Sequence, residues 1–177
     1  MPEHTRILCY GIGNISRGDD GLGPELLDWL QQQAKSFSQY EITYEPAFQL
    51  QPENIYEFKN QDAILFLDAD ARFETGIQFN QLQIPTTENP FVSHALSPTQ
   101  LLKIHNDLMA ASHPPAFLLS MGASDIGLHE GLSSTAKKNL ELAQEKCSYF
   151  LQQPLQSWPD LTTNQEPPNT AGCSATS

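Results

Sequence analysis

The chain has 177 residues, 39% of them hydrophobic and 17% charged, and a formal net charge of -12. That composition fits one soluble domain with a real core, and the charge disfavours nonspecific binding to nucleic acid or to an anionic membrane. No apolar run approaches the ~20 residues of a membrane span, and the N-terminus lacks a signal peptide's apolar core, so a cytoplasmic setting is expected.

The three cysteines, Cys9, Cys147 and Cys173, have no close spacing, which predicts reduced thiols and no disulfide framework. In chain order, Ile7 to Tyr10 is an uncharged apolar run, the pattern of a strand buried on both faces. Gly11, Gly13 and Asn14 then mark a turn. Gly18-Asp19-Asp20-Gly21 precedes a helix expected over about Asp20 to Lys35, with Leu22, Leu26 and Leu30 on one face. Asp19 suits an N-terminal helix cap, and Asp20 is left as a candidate ligand or catalytic carboxylate. Gly11-Ile12-Gly13 supplies two glycines of a dinucleotide fingerprint. Ser16 stands where the third belongs, however, and Asp19 and Asp20 would repel phosphate.

Tyr40 to Glu45 alternates like a strand, ended by Pro46 and with Glu45 at its tip. Pro52 opens a short helix to about Lys59. Ala63 to Asp68 is the clearest buried strand, and it leaves Asp68, with Asp70 close behind, at the carboxyl edge of the sheet where α/β proteins bind ligands. Ile77 to Leu82 reads as an exposed edge strand, possible in antiparallel pairing. His94 lies in the loop before a helix that opens with Ser97 as cap, Pro98 and Gln100, and whose buried face is expected at Leu101, Ile104 and Leu108. Ala116 to Gly122 is another buried strand. Ser133 and Ser134 then begin a last helix with Ala136, Leu140, Ala143, Cys147 and Phe150 on its core side.

Periodicity stops after Leu151. The expected organisation is therefore one α/β domain over 1–151 and a flexible tail over 152–177. Alternating strands and helices predict a three-layer α/β/α sandwich around a mostly parallel, twisted sheet of about five strands.

Asp20, Asp68 and His94 fall at the ends of three separate elements on one sheet edge. Two carboxylates and an imidazole suit a borderline divalent ion such as nickel or zinc, with positions left open for water or substrate. Three unrelated caps and loop residues are an alternative, and so is a site using His129, His105 or His113. HExxH and GxSxG are absent, and no serine or cysteine triad is recognisable.

The stretch GIGNISRGDDGLGP after a strand resembles the opening of the nickel-iron hydrogenase maturation endopeptidases. LFLDAD, SHALSPTQLL and LLSMGASDIGLHEGLS extend the resemblance over about Arg6 to Leu151. The text Glu45-Pro46-Ala47 departs from the aspartate and glycines usual after that family's second strand. The resemblance implies a cytoplasmic, monomeric metal-dependent hydrolase that removes the C-terminal extension of a hydrogenase large-subunit precursor. Asp20, Asp68 and His94 would hold nickel, already carried by the precursor as a recognition mark, with zinc or cadmium as stand-ins in vitro. The competing readings are a non-proteolytic Rossmann-like nucleotide- or ligand-binding module and an inactive hydrogenase-assembly scaffold.

Overall fold

The computed structural model describes residues 4–84 and 95–163. Its strands are β1 (Thr5–Ile12), β2 (Tyr40–Ala47), β3 (Ala63–Asp70), β4 (Ile77–Gln81) and β5 (Ala116–Gly122), and its helices are α1 (Leu22–Gln32), α2 (Pro98–Met109) and α3 (Ser134–Phe150). They build one sheet in the order β2-β1-β3-β5-β4. Only β4 runs antiparallel to its neighbour.

The uncharged runs explain the layering. Along β1 and β3, Ile7, Cys9, Leu65 and Leu67 enter a core shared with α1 and α3. Their alternates Leu8, Tyr10, Ile64 and Phe66 enter a second core shared with α2 and the 3-10 segment Pro52–Phe58. Both faces of the central strands are thus removed from water, so a polar residue inside them would lose its hydration without a partner. This is the expected three-layer sandwich with a five-stranded, mostly parallel sheet.

Several boundaries differ from those read in the sequence. The first helix is split into a 3-10 turn at Gly18–Gly21, α1, and a second 3-10 turn at Ala34–Phe37. β2 continues through Pro46 to Ala47, because an edge strand tolerates a missing N–H. Glu45 is therefore not at the tip of its strand: it lies in register with Tyr10, before the strand ends. On α2 the buried residues are Leu101, Leu102 and His105, while Leu108 is exposed. Residues 107–112 are all exposed, so the last turn of α2 overruns the layer on which it packs.

The expected tail also begins too early. Residues Leu155–Leu161 form a 3-10 segment whose Trp158 is fully buried. Its indole meets Phe150 at 4.7 Å and Phe117 at 5.3 Å between ring centroids, edge-on in both cases. Thr163 then donates its N–H to the Phe79 carbonyl and accepts the Phe79 N–H on Oγ1 at 3.1 Å, against β4. One buried tryptophan and these bonds hold a segment whose prolines and polar residues carry no helical period. Residues 164–177 lie outside the described residues. Among the described residues no helix is long and apolar enough to cross a membrane.

Candidate active site

The sheet order reverses between β1 and β3. β1 connects to β2 on one side, and the chain then returns to place β3 on the other. A crevice outside the carboxyl ends of two such strands is the usual ligand position in open α/β sheets. Here a cleft of about 410 Å³ occupies that point, and both Asp20 and Asp68 line it. Gly13 and Asn14 just after β1, and Ala95 to Ser97 leading into Pro98 at the start of α2, complete much of its wall.

Local packing fixes Asp20. A Cβ at Gly23 would lie 2.1 Å from the Ile12 carbonyl oxygen and 2.6 Å from that of Leu67, so glycine lets the start of α1 rest directly on the ends of β1 and β3. Gly13, at φ +136°, lets the chain turn against Asp20, whose carbonyl oxygen a Cβ would overlap at 1.9 Å. The Asn14 N–H then donates to Asp20 Oδ2 at 2.9 Å. That amide is one of those a bound phosphate would need at this turn, and a carboxylate already holds it, which counts against a dinucleotide site.

Asp68 occupies the last part of β3, opposite Ser120 of β5. Its carboxyl is pushed up to about 7, first by burial and then by the negative charge of Asp20, with a smaller contribution from Asp70; the Ala69 N–H pulls the other way. Two carboxylates in one cleft thus compete for their ionised forms, the arrangement that a bound cation relieves. Neither has an ion-pair partner among the described residues. Asp70 is engaged with Arg72, at 2.6 Å from Nη2 to Oδ2, which holds its carboxyl below the usual range.

His94 lies outside the described residues; Ala95, next in the chain, lines the cleft. Among the described residues no three His, Cys, Asp or Glu side chains gather closely enough to hold a metal ion. The alternative histidines do not line this cleft. His105 is buried against Phe58, His113 bonds the Pro114 carbonyl at 2.6 Å, and His129 pairs with Asp125 at 2.9 Å. Glu45 is absent from the cleft lining as well. Cys9 and Cys147 are buried, and burial pushes both thiols far above their ordinary range, so neither of these two supplies a thiolate for nucleophilic chemistry.

Asp19 has a different task from the helix cap expected of it. α1 has no side-chain cap. The Asp19 carboxylate is fully buried and accepts the N–H groups of Ser124, Asp125 and Ser133 at 3.1, 3.0 and 2.7 Å, plus the Ser133 hydroxyl at 2.9 Å. Burial raises its proton affinity, but the hydrogen bonds from Ser133, Asp125 and Ser124 outweigh that and hold the carboxyl below its ordinary value. Ser133 in turn caps α3 by accepting the Ala136 N–H. Consecutive aspartates therefore face opposite ways: one ties down the loop between β5 and α3, and the other looks into the cleft. Sequence reasoning also missed Arg17, Phe48 and Leu50 as cleft residues; no local periodicity marks them, and only the fold of the loops brings them to the rim.

The fold is an α/β class shared with solved structures of hydrogenase maturation proteases. The chain is similar in structure to the [NiFe] hydrogenase maturation protease HycI from Thermococcus kodakarensis, with a TM-score of 0.64 and 21% identity, covering 85% of this chain and 95% of that one. It is also similar to the hydrogenase maturating endopeptidase HybD from E. coli, with a TM-score of 0.61 and 20% identity over 83% of this chain and 92% of that one. A third such structure is the [NiFe] hydrogenase maturation protease HybD from Thermococcus kodakarensis, with a TM-score of 0.58 and 15% identity over 82% and 99% of the two chains. No family model and no curated protein matches the sequence.

Proposed function

We propose that this protein is an endopeptidase that removes the C-terminal extension from the large-subunit precursor of a nickel-iron hydrogenase. The observation that carries the reading is the pair Asp20 and Asp68 in one cleft at the point where the strand order reverses, on a fold shared with maturation proteases. In this reading the two carboxylates, with His94, hold nickel that arrives as part of the substrate and so position the scissile bond. Nickel has a borderline character that suits oxygen and imidazole ligands, and a bound divalent ion can polarise a carbonyl or acidify water. The burial of Cys9 and Cys147, and a sequence with no recognisable serine or cysteine triad motif, support hydrolysis by positioning and an activated water.

The test is incubation with nickel-loaded and nickel-free large-subunit precursor, followed by mass measurement of the product. Wild type should shorten only the loaded precursor. Asp20→Asn should cut it more than tenfold more slowly, a loss of over about 1.4 kcal/mol in barrier lowering. Efficient trimming of the nickel-free form would reject nickel as the recognition mark. Equal rates for wild type and Asp20→Asn would remove Asp20 from the site.

A further inference from the structure

Three aliphatic side chains stand in solvent on two loops that pack together, one of which borders the cleft, with no core to explain them. Leu128 is 90% exposed, Ile15 59% and Ile126 43%. Leu128 and Ile126 belong to the loop after β5, and Ile15 to the turn after β1. Packing brings the two loops together. The Gly18 N–H donates to the His129 carbonyl and the Asp19 N–H to the Asp125 carbonyl, both at 2.7 Å. A Cβ at Gly21 would meet Ile15 at 3.2 Å and Leu132 at 3.8 Å, so one glycine touches both loops.

The loop carrying Ile126 and Leu128 is braced rather than loose. Asp19 accepts four hydrogen bonds from Ser124, Asp125 and Ser133. His129 Nε2 bonds Asp125 Oδ1 at 2.9 Å, and the Gly127 N–H reaches the same oxygen at 3.3 Å. The His129 ring faces Gly18, where a Cβ would come within 2.9 Å of it, while the neighbouring Leu128 points away into water. A rigid frame that presents apolar side chains to solvent lowers the ordering cost of binding a partner, and exposed apolar groups clustered beside a site mark interaction surfaces.

One end of this surface borders the cleft. Asn14 and Arg17 line the cleft, and Ile15 lies between them on the same turn. A cleft of about 410 Å³ is the size of a small-molecule pocket and takes at most a short segment of polypeptide. The rest of a protein substrate must then rest on what surrounds the opening.

Building on the peptidase reading above, we propose that Ile15, Ile126 and Leu128 form a docking surface for the folded body of the precursor whose C-terminal segment enters the cleft. The partner surface is apolar at its centre, and the net charge of -12 favours a cationic rim around it.

The experiment compares wild type, Leu128→Asp and, as a control, Leu108→Asp, which alters a side chain 68% exposed on α2. Binding to nickel-loaded large-subunit precursor is measured by calorimetry, cleavage by mass spectrometry, and self-association by sedimentation. Leu128→Asp should bind the precursor at least tenfold more weakly and raise KM with kcat within about twofold, while Leu108→Asp matches wild type. Equal precursor affinity for wild type and Leu128→Asp overturns the docking surface and leaves the peptidase reading standing. Equal weakening by Leu108→Asp also overturns it, since added charge alone would then account for the loss. A wild-type dimer that Leu128→Asp dissociates, with precursor binding unchanged, would assign the patch to a second copy of the chain. Wild type that neither binds nor cuts the precursor rejects both readings together.

Discussion

Replacing Asp68 by asparagine should make the protein more stable, by a margin that is absent below pH 3.8, grows as pH rises and is full above pH 7. The Asp68 carboxyl is raised from 3.8 to about 7, first by burial and then by the charge of Asp20. Below pH 3.8 it is protonated in both the folded and unfolded chain and has no effect on stability. Between 3.8 and 7 the unfolded chain ionises while the folded chain keeps its proton, so stability falls as pH rises. Above 7 the loss is complete. Each factor of ten in proton affinity is worth about 1.4 kcal/mol, so the full shift corresponds to at most about 4 kcal/mol. Asp68 retains some contact with water, and an amide pays its own desolvation, so about half of that, ~2 kcal/mol, is the expected gain. For a domain of this size that is roughly 4–8 °C in melting temperature. The assay is thermal unfolding of Asp68→Asn and wild type in chelator at pH 4 and pH 8. The two should melt together at pH 4 and separate at pH 8, and Asp20→Asn should narrow the gap by removing a neighbouring charge. A difference that is the same at both pH values, or a less stable variant at pH 8, would refute the argument that this cleft is held against electrostatic strain.

Asp19→Asn should destabilise the fold by about 2–4 kcal/mol, because an amide nitrogen would confront donors now satisfied by a buried carboxylate; denaturant unfolding measures it, and a neutral result would mean that the loop after β5 holds itself. Truncation after Pro154 removes Trp158 from the aromatic core and should cost about 3–5 kcal/mol, or roughly 6–20 °C in melting temperature; a loss under about 1 °C would return these residues to the status of a dispensable tail. His129 should titrate above its ordinary 6.5, chiefly because of the Asp125 carboxylate and then the Glu130 carbonyl, and NMR should show Asp125→Asn bringing it back down. The pair contributes fully below 6.5 and is lost as pH rises through the raised value, so an unshifted titration would remove it as a brace of the loop.

The fold was legible where burial leaves an unambiguous mark. Ile7 to Tyr10, Ala63 to Asp68 and Ala116 to Gly122 could be read because burial on both faces empties a strand of polar residues. Ser97, Pro98 and Gln100 announced the start of α2, and the capping box forms with the Gln100 N–H to Ser97 Oγ at 3.3 Å. That Asp20 and Asp68 share one cleft was legible because each follows such a strand or opens the next helix. The roles of Asp19 and Asp20 could not be separated so easily. Neighbours in a turn differ only in direction, and the donors that claim Asp19 come from Ser124 to Ser133, more than a hundred residues away. Trp158 was missed for a related reason: a short 3-10 segment has no repeat to detect, and its single anchoring side chain is recognisable only against Phe79, Phe117 and Phe150.

The late position of Trp158 has a consequence for how the chain folds as it emerges from the ribosome. β1, β2 and β3 can pair as soon as the first 70 residues are available. The aromatic layer beneath Phe79 and Phe117 waits for Trp158, and the Tyr40 hydroxyl must find the Gln153 carbonyl across 113 residues of chain. Until synthesis reaches that segment, a nascent chain carries a β-sheet with part of one face still wet and apolar. Domains built this way complete their core only once that segment has emerged, so a pause or a premature stop before residue 158 should leave a sticky intermediate for chaperones rather than a shortened folded domain.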